Sequence, residues 1–306
     1  MPGNAPNASP PAPASKKRVF LQRASSSALL WAVVLGALFA PSPFIAAACF
    51  FTVMVGLAFV GQWEFYGLVQ RRGLACFRNT GLVFGLILVA STWVNLSGLI
   101  KEQTLPAKAH DFETGVVVLC FLGLCVRRFL ARDETDGFAA VATTLLGLLY
   151  VPWLLNFIQK IHFFPRAEGQ WYVVYFILVT KFSDMGAYAV GSLIGRHKMI
   201  PRVSPGKTWE GFGGALLFSL AGSLAFAHLA GEHLTGMTPM HAAVLGLSLG
   251  ATAVLGDLIE SLFKREAGAK DSGRLFPGIG GILDLLDSLL FNAPLMYLYL
   301  RHVLTH

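Results

Sequence analysis

Apolar runs long enough to cross a bilayer recur along the chain, separated by short segments that hold most of the charge. Nine runs are predicted as helical spans, at about 27–41, 44–68, 80–100, 114–131, 138–159, 171–194, 210–230, 240–263 and 280–300. The first is the shortest, and Pro41 and Pro43 blur its end. The pattern predicts an all-α polytopic membrane protein.

Composition agrees. Of 306 residues 55% are hydrophobic and only 13% are charged, whereas a soluble protein carries about 25% charged residues. With the N-terminus inside, the cytoplasmic segments hold most of the 24 Lys and Arg, including Arg71, Arg72, Arg127, Arg128, Arg196, Lys198, Lys264 and Arg265. The exceptions are Lys101, Lys108, Lys160, Arg166 and Arg301 in opposite loops, and Lys181 inside a span. This bias follows the positive-inside rule and orients the chain N-in and C-out in the cell (inner) membrane, with any site between the later spans facing the cytoplasm.

The net charge of +7 is accounted for by loops beside anionic lipid rather than by nucleic acid, which is not expected as a partner. Residues 1–26 read as a disordered basic tail, 27–160 as a helical scaffold and 161–306 as the half that carries chemistry. The first helix is expected to stay uncleaved, because a second span follows it closely. Cys49, Cys76, Cys120 and Cys125 form no CxxC pair and read as packing residues.

Ionisable groups at membrane depth are costly, so they mark function by default. In the eighth span Asp257, Glu260, Ser261 and Lys264 fall on one helical face. Asp257 then lies roughly 10 Å below the helix end, at 1.5 Å per residue. In the ninth span Asp284 and Asp287 share a face about 5–9 Å in from its start by the same rise. Two acidic faces at similar depth suit a hard cation, and Asp257, Asp284 and Asp287 are the expected Mg²⁺ ligands, with room for a second cation. A plainer reading stays open, in which Asp257 and Asp287 pair with Lys264 or Lys181.

The intervening loop carries Lys264, Arg265, Lys270, Asp271 and Arg274, and Gly278, Gly280 and Gly281 permit close backbone approach at the start of the last helix. Basic side chains and exposed amides beside a metal are what a triphosphate requires. Lys181 and Asp184 in the sixth span neutralise each other or leave Asp184 facing the site. Gly206-Lys207-Thr208 looks like the end of a P-loop, but Pro201 stands where that motif needs glycine and no strand precedes it. Ser204, Lys207 and Thr208 read instead as a phosphate- or headgroup-binding loop, with Thr208 or Ser204 capping the next helix. His197 has no carboxylate partner nearby in sequence, and Glu64, beside Trp63 and Tyr66, reads as an interfacial anchor outside the site. There is no Ser-His-Asp, Cys-His or HExxH arrangement, which fits a reaction whose nucleophile is already an anion.

The run from Ser261 to Ser288 resembles the signature of the phosphatidate cytidylyltransferases, also called CDP-diacylglycerol synthases. Ser261, Lys264, Arg265, Lys270, Asp271, Ser272, Gly273, Pro277, Gly278, Gly280, Gly281, Asp284, Asp287 and Ser288 match it with intact spacing. Asp184-Met-Gly-Ala-Tyr188 and Ser204-Pro-Gly-Lys-Thr-Trp-Glu-Gly211 look like the same family, so the likeness covers about residues 171–300. Ile279 and Leu285 stand where that pattern often has histidine and arginine.

The resemblance implies Mg²⁺-dependent transfer from CTP to phosphatidate in phospholipid biosynthesis. Asp257, Lys264, Asp284 and Asp287 would be catalytic. Ser204, Lys207, Thr208, Ser261, Arg265, Lys270, Asp271, Gly280 and Gly281 would contact substrate. A homodimer is also expected. The rival readings are a CTP-dependent transferase acting on an ether lipid or polyprenol, and a cation-coupled transporter. Against the transporter, the acids gather in one half of the chain, without matching interrupted helices in the other.

Overall fold

The computed structural model describes residues 16–98, 106–131, 137–273, 275 and 280–305. A helix stands at each of the nine expected runs. The first four are α1 (Lys16–Leu38), α2 (Pro43–Arg71), α3 (Arg78–Leu96) and α4 (Pro106–Leu130). Then α5 (Gly137–Leu148) and α6 (Leu154–His162) join through a π-helical turn, Leu149–Trp153. Proline at 152 supplies no N–H, so the regular ladder is broken there. The last four are α7 (Gly169–Ile194), α8 (Trp209–Ala230), α9 (Pro239–Glu266) and α10 (Ile282–Tyr299), the last prolonged by a π-helical turn, Leu300–Leu304.

Among the described residues seven of these rods are long and apolar enough to cross a membrane. The first helix offers a shorter apolar stretch, Ser25–Leu38, and α4 carries Asp111 and Glu113 within its length. Residues 1–15 of the expected tail lie outside the described residues, and α1 begins within that segment at Lys16.

One element departs from an all-helical reading. β1 (Lys198–Ile200) and β2 (Ser204–Thr208) form an antiparallel hairpin between α7 and α8, with Lys198 opposite Thr208 and Ile200 opposite Ser204. A strand does therefore precede Lys207, but Gly206-Lys207-Thr208 lie on β2 itself and not in a phosphate-cradling loop.

The last helix is the central post. Leu283, Leu286, Leu290, Ala293 and Met296 are buried, and α10 packs against α9, α6 and α2. Helices in lipid associate through close backbone approach and polar bridges, and α9 and α10 use both. A Cβ on Gly256 would come within 2.6 Å of the Asp287 carbonyl oxygen, so the two backbones meet beside the acids. Farther along, Asn292 donates to Thr180 Oγ1 (2.7 Å) and to the Leu249 carbonyl (3.0 Å), tying α10 to α7 and α9.

The N-terminal half has its own polar core. Lys160 on α6 is buried and ion-paired to Glu113 of α4 at 2.5 Å. Thr92 donates to the same carboxylate at 3.0 Å. Lys160 is thus an interior residue and not, as its position suggested, part of an opposite loop. One exception to the charge bias disappears with that correction.

Candidate active site

The acidic face of α9 forms as its spacing predicts, and each acid on it has acquired a particular partner. Asp257 ion-pairs with Lys207 from β2 and accepts a long hydrogen bond from Ser261 at 3.4 Å. One turn on, Glu260 is fully buried and pairs with Lys264. Lys264 also reaches across to Asp284 of α10, at 2.7 Å from Oδ1. Asp287 is buried beside this face and accepts its neighbour Ser288's N–H at 2.5 Å. Lys181 pairs with Asp184 (3.1 Å) and donates to the Leu285 carbonyl (3.4 Å). The plainer pairing reading therefore finds Asp257 with a lysine from the hairpin, not with Lys264 or Lys181.

The charge balance shows in Lys207. Burial disfavours its ammonium, yet Asp257 first, with Asp184 and Asp287 behind it, holds it above the ordinary lysine range. A hairpin cation is thereby held on Asp257 of α9, with further attraction from Asp184 of α7 and Asp287 of α10.

Asp284 has a different setting from the one expected. Its Oδ2 accepts the Gly281 N–H (2.7 Å), the Ser272 N–H (3.0 Å) and the Ser272 hydroxyl (2.8 Å). Through the Gly281 bond Asp284, the third residue of α10, reaches back to the N-cap backbone at the start of that helix. Gly280 enters that turn at φ 116°, a left-handed conformation that favours glycine. With Lys264 on Oδ1, the Asp284 carboxylate organises the loop end.

Glu64 is the residue that sequence reasoning misplaced. It is buried, and accepts from the Ser272 hydroxyl at 3.1 Å and from the Leu283 N–H at 2.8 Å. It clamps the loop and α10 from the side of α2. The available signal was an acid inside an otherwise apolar run. His197 also gains a partner: its Nδ1 lies 2.5 Å from Glu210 Oε1.

The remaining expected residues divide. Thr208 caps α8, accepting the Gly211 N–H at 3.1 Å, whereas Ser204 opens β2. Arg265 donates to the Val203 carbonyl at 3.2 Å and the Ala269 carbonyl at 3.3 Å, pinning the hairpin to the end of α9. Lys270 and Asp271 are exposed. Arg274, Pro277, Gly278 and Ile279 lie outside the described residues.

Among the described residues no three His, Cys, Asp or Glu side chains form a group that could hold a metal ion. Mg²⁺ does not require one. It binds through one or two carboxylates, water and substrate phosphates rather than an all-protein cage. Asp257 and Asp287 fit that donor set, being hard oxygens in a cluster where acids outnumber lysines, while Asp284 is fully engaged by the loop.

A family model described as the cytidylyltransferase family matches residues 26–303. The chain is 37% identical over 194 residues to a phosphatidate cytidylyltransferase of Mycobacterium bovis, covering 61% of each chain. It is 31% identical over 284 residues to one of Haemophilus influenzae (89% of this chain, 96% of that one). It is 36% identical over 227 residues to one of Staphylococcus aureus (71% and 76%). The chain therefore spans about three-fifths of the mycobacterial relative and nearly all of the Haemophilus one.

Proposed function

The chain belongs to the cytidylyltransferase family, and from that premise we propose that it is a phosphatidate cytidylyltransferase of the cell membrane. CTP and phosphatidate would give CDP-diacylglycerol and pyrophosphate. An oxygen of the lipid phosphate forms a bond to the α-phosphorus of CTP, and the bond from that phosphorus to the α–β bridging oxygen breaks, its electrons leaving with pyrophosphate. The attacking oxygen is already anionic, so neither an activated serine nor a general base is needed.

The observation that carries this reading is the Lys207–Asp257 pair beside Asp287. An ammonium paired to a carboxylate can be claimed by an incoming triphosphate, which releases Asp257. Lys264 holds the glycine-rich turn through Asp284, and with Lys207 it supplies positive charge where phosphate charge accumulates. Asp257 and Asp287 would hold Mg²⁺, which when bound would offset charge on the pyrophosphate leaving group. Ser261 positions Asp257.

The same reading draws CTP from the cytoplasmic side, in keeping with the bias of Lys and Arg toward the segments that carry the hairpin and the loop after α9. The lipid stays in the bilayer, and two copies assemble, as the resemblance implies. The test is a panel of acceptors with labelled CTP: phosphatidate, an ether-linked phosphatidate analogue and a polyprenyl phosphate. CDP-lipid formation that depends on phosphatidate supports the reading. Transfer only to another acceptor, or cation movement across vesicles with no CTP consumed, contradicts it.

A further inference from the structure

Two hydroxyls buried beside the acidic cluster have no hydrogen-bond partner among the described residues. Tyr150 lies in the π-helical turn between α5 and α6, is 6% exposed, and its Oη has no hydrogen-bond partner among the described residues. Ser288, next to Asp287, is fully buried, and its Oγ is likewise unpartnered among them. Buried polar atoms are nearly always bonded, since water's hydrogen bonds have been given up, and a buried phenol ordinarily finds an acceptor.

The tyrosine ring is fixed from three sides. Its centroid lies 5.5 Å from Phe65 of α2, 5.4 Å from Phe263 of α9 and 6.3 Å from Phe291 of α10. Phe263 and Phe291 each stand about one helical turn beyond Glu260 and Asp287, so the ring is wedged between α9 and α10 near the level of the acids. Glu260, Asp287 and Asp257 are the carboxylates within electrostatic range of the hydroxyl. None of them accepts from it. Asp257 faces Lys207, Glu260 faces Lys264, and Asp287 accepts the Ser288 N–H. A donor held in place beside a site, accepted by none of these carboxylates although Glu260 keeps Oε1 without a partner among the described residues, is preorganised for something the protein does not itself supply. A π-helical turn, often kept at functional sites, presents it.

We propose that Tyr150 is a substrate-contacting residue, its O–H donating, together with that of Ser288, to a phosphate oxygen of the bound substrates. This rests on the cytidylyl-transfer reading and changes one part of it: the N-terminal half is more than scaffold, because it delivers a donor to the reacting groups.

Tyr150→Phe removes one oxygen and keeps all three ring contacts. In the purified full chain its thermal midpoint should equal or exceed that of the wild type, while kcat/KM falls roughly tenfold to a hundredfold, as for loss of one hydrogen bond to a charged group. If the acceptor is a nucleotide phosphate, the thermal shift caused by CTP without lipid shrinks as well. If it is the lipid phosphate, that shift stays and KM for phosphatidate rises. Ser288→Ala should act in the same direction, and the double variant should lose less than the product of the two. Wild-type kcat/KM in both single variants overturns the proposal. So does a lowered midpoint for Tyr150→Phe, which would mean the hydroxyl is bonded within the fold. Should the wild type be stabilised by CTP yet transfer to no acceptor, the transfer reading fails, and the CTP shift of Tyr150→Phe alone decides the contact.

Discussion

The Glu64 carboxylate accepts the Leu283 N–H at 2.8 Å, joining the latter part of α2 to the first turn of α10. The same group accepts the Ser272 hydroxyl, so one buried acid holds both the loop and the helix that carries Asp284 and Asp287. Glu64→Ala leaves the Leu283 N–H unsatisfied, at about 1–3 kcal/mol for a buried group, and leaves the Ser272 hydroxyl to Asp284 alone. A lowered thermal midpoint with reduced turnover is expected. Glu64→Gln keeps an acceptor and should lose less of both. Equal losses in the two variants would mean that the clamp does not act through these hydrogen bonds.

Lys207 makes the hairpin part of the site, and Lys207→Met should lower kcat/KM by roughly a hundredfold. The pH dependence has a definite sign. The folded protein holds the Lys207 ammonium above its ordinary range, so the stability it contributes is fully present below that range and is lost as pH rises through the raised value. The difference in midpoint between wild type and Lys207→Met should therefore stay constant from about pH 6 to about pH 9 and shrink only in stronger alkali. A difference that disappears on going from pH 9 to pH 6 would contradict the pairing.

Lys181 donates to the carbonyl of Leu285, the residue that stands where the family motif often has arginine. A cation from α7 thus reaches the backbone of the position where that arginine often stands. Lys181→Met should reduce turnover, and adding Leu285→Arg to it should restore part of the loss. The check is kcat in the single and double variants, and no restoration would separate the two positions.

Much of this arrangement is legible in the chain. Hydropathy locates the nine helices, because apolar length is itself the requirement for spanning. Spacing puts Asp257, Glu260 and Lys264 on one face, because those partners lie within two turns of each other. What is lost is whatever depends on contacts distant in sequence. Glu64 looks like an anchor until Ser272 and Leu283 are brought to it. Lys160 looks like a loop residue until Glu113 is found inside the bundle. The loop-holding contacts of Asp284 with Ser272 and Lys264 do not show in its spacing either, because Ser272 and Lys264 come to it from 12 and 20 residues away. Tyr150 is hidden for a further reason: an aromatic on an apolar helix is ordinary core, and an unmatched hydroxyl has no sequence signature. The hairpin, short and containing Pro and Gly, offers no alternation to read.

The central claim is that Asp257 and Asp287, from adjoining helices, serve one transfer reaction. It is tested most directly by phosphatidate-dependent formation of CDP-diacylglycerol from labelled CTP in purified wild type, Asp257→Asn and Asp287→Asn. Turnover in the wild type and none in either variant, with all three proteins folded and showing thermal midpoints within a few degrees of one another, is the expected result. Turnover at the wild-type rate in either variant would contradict it.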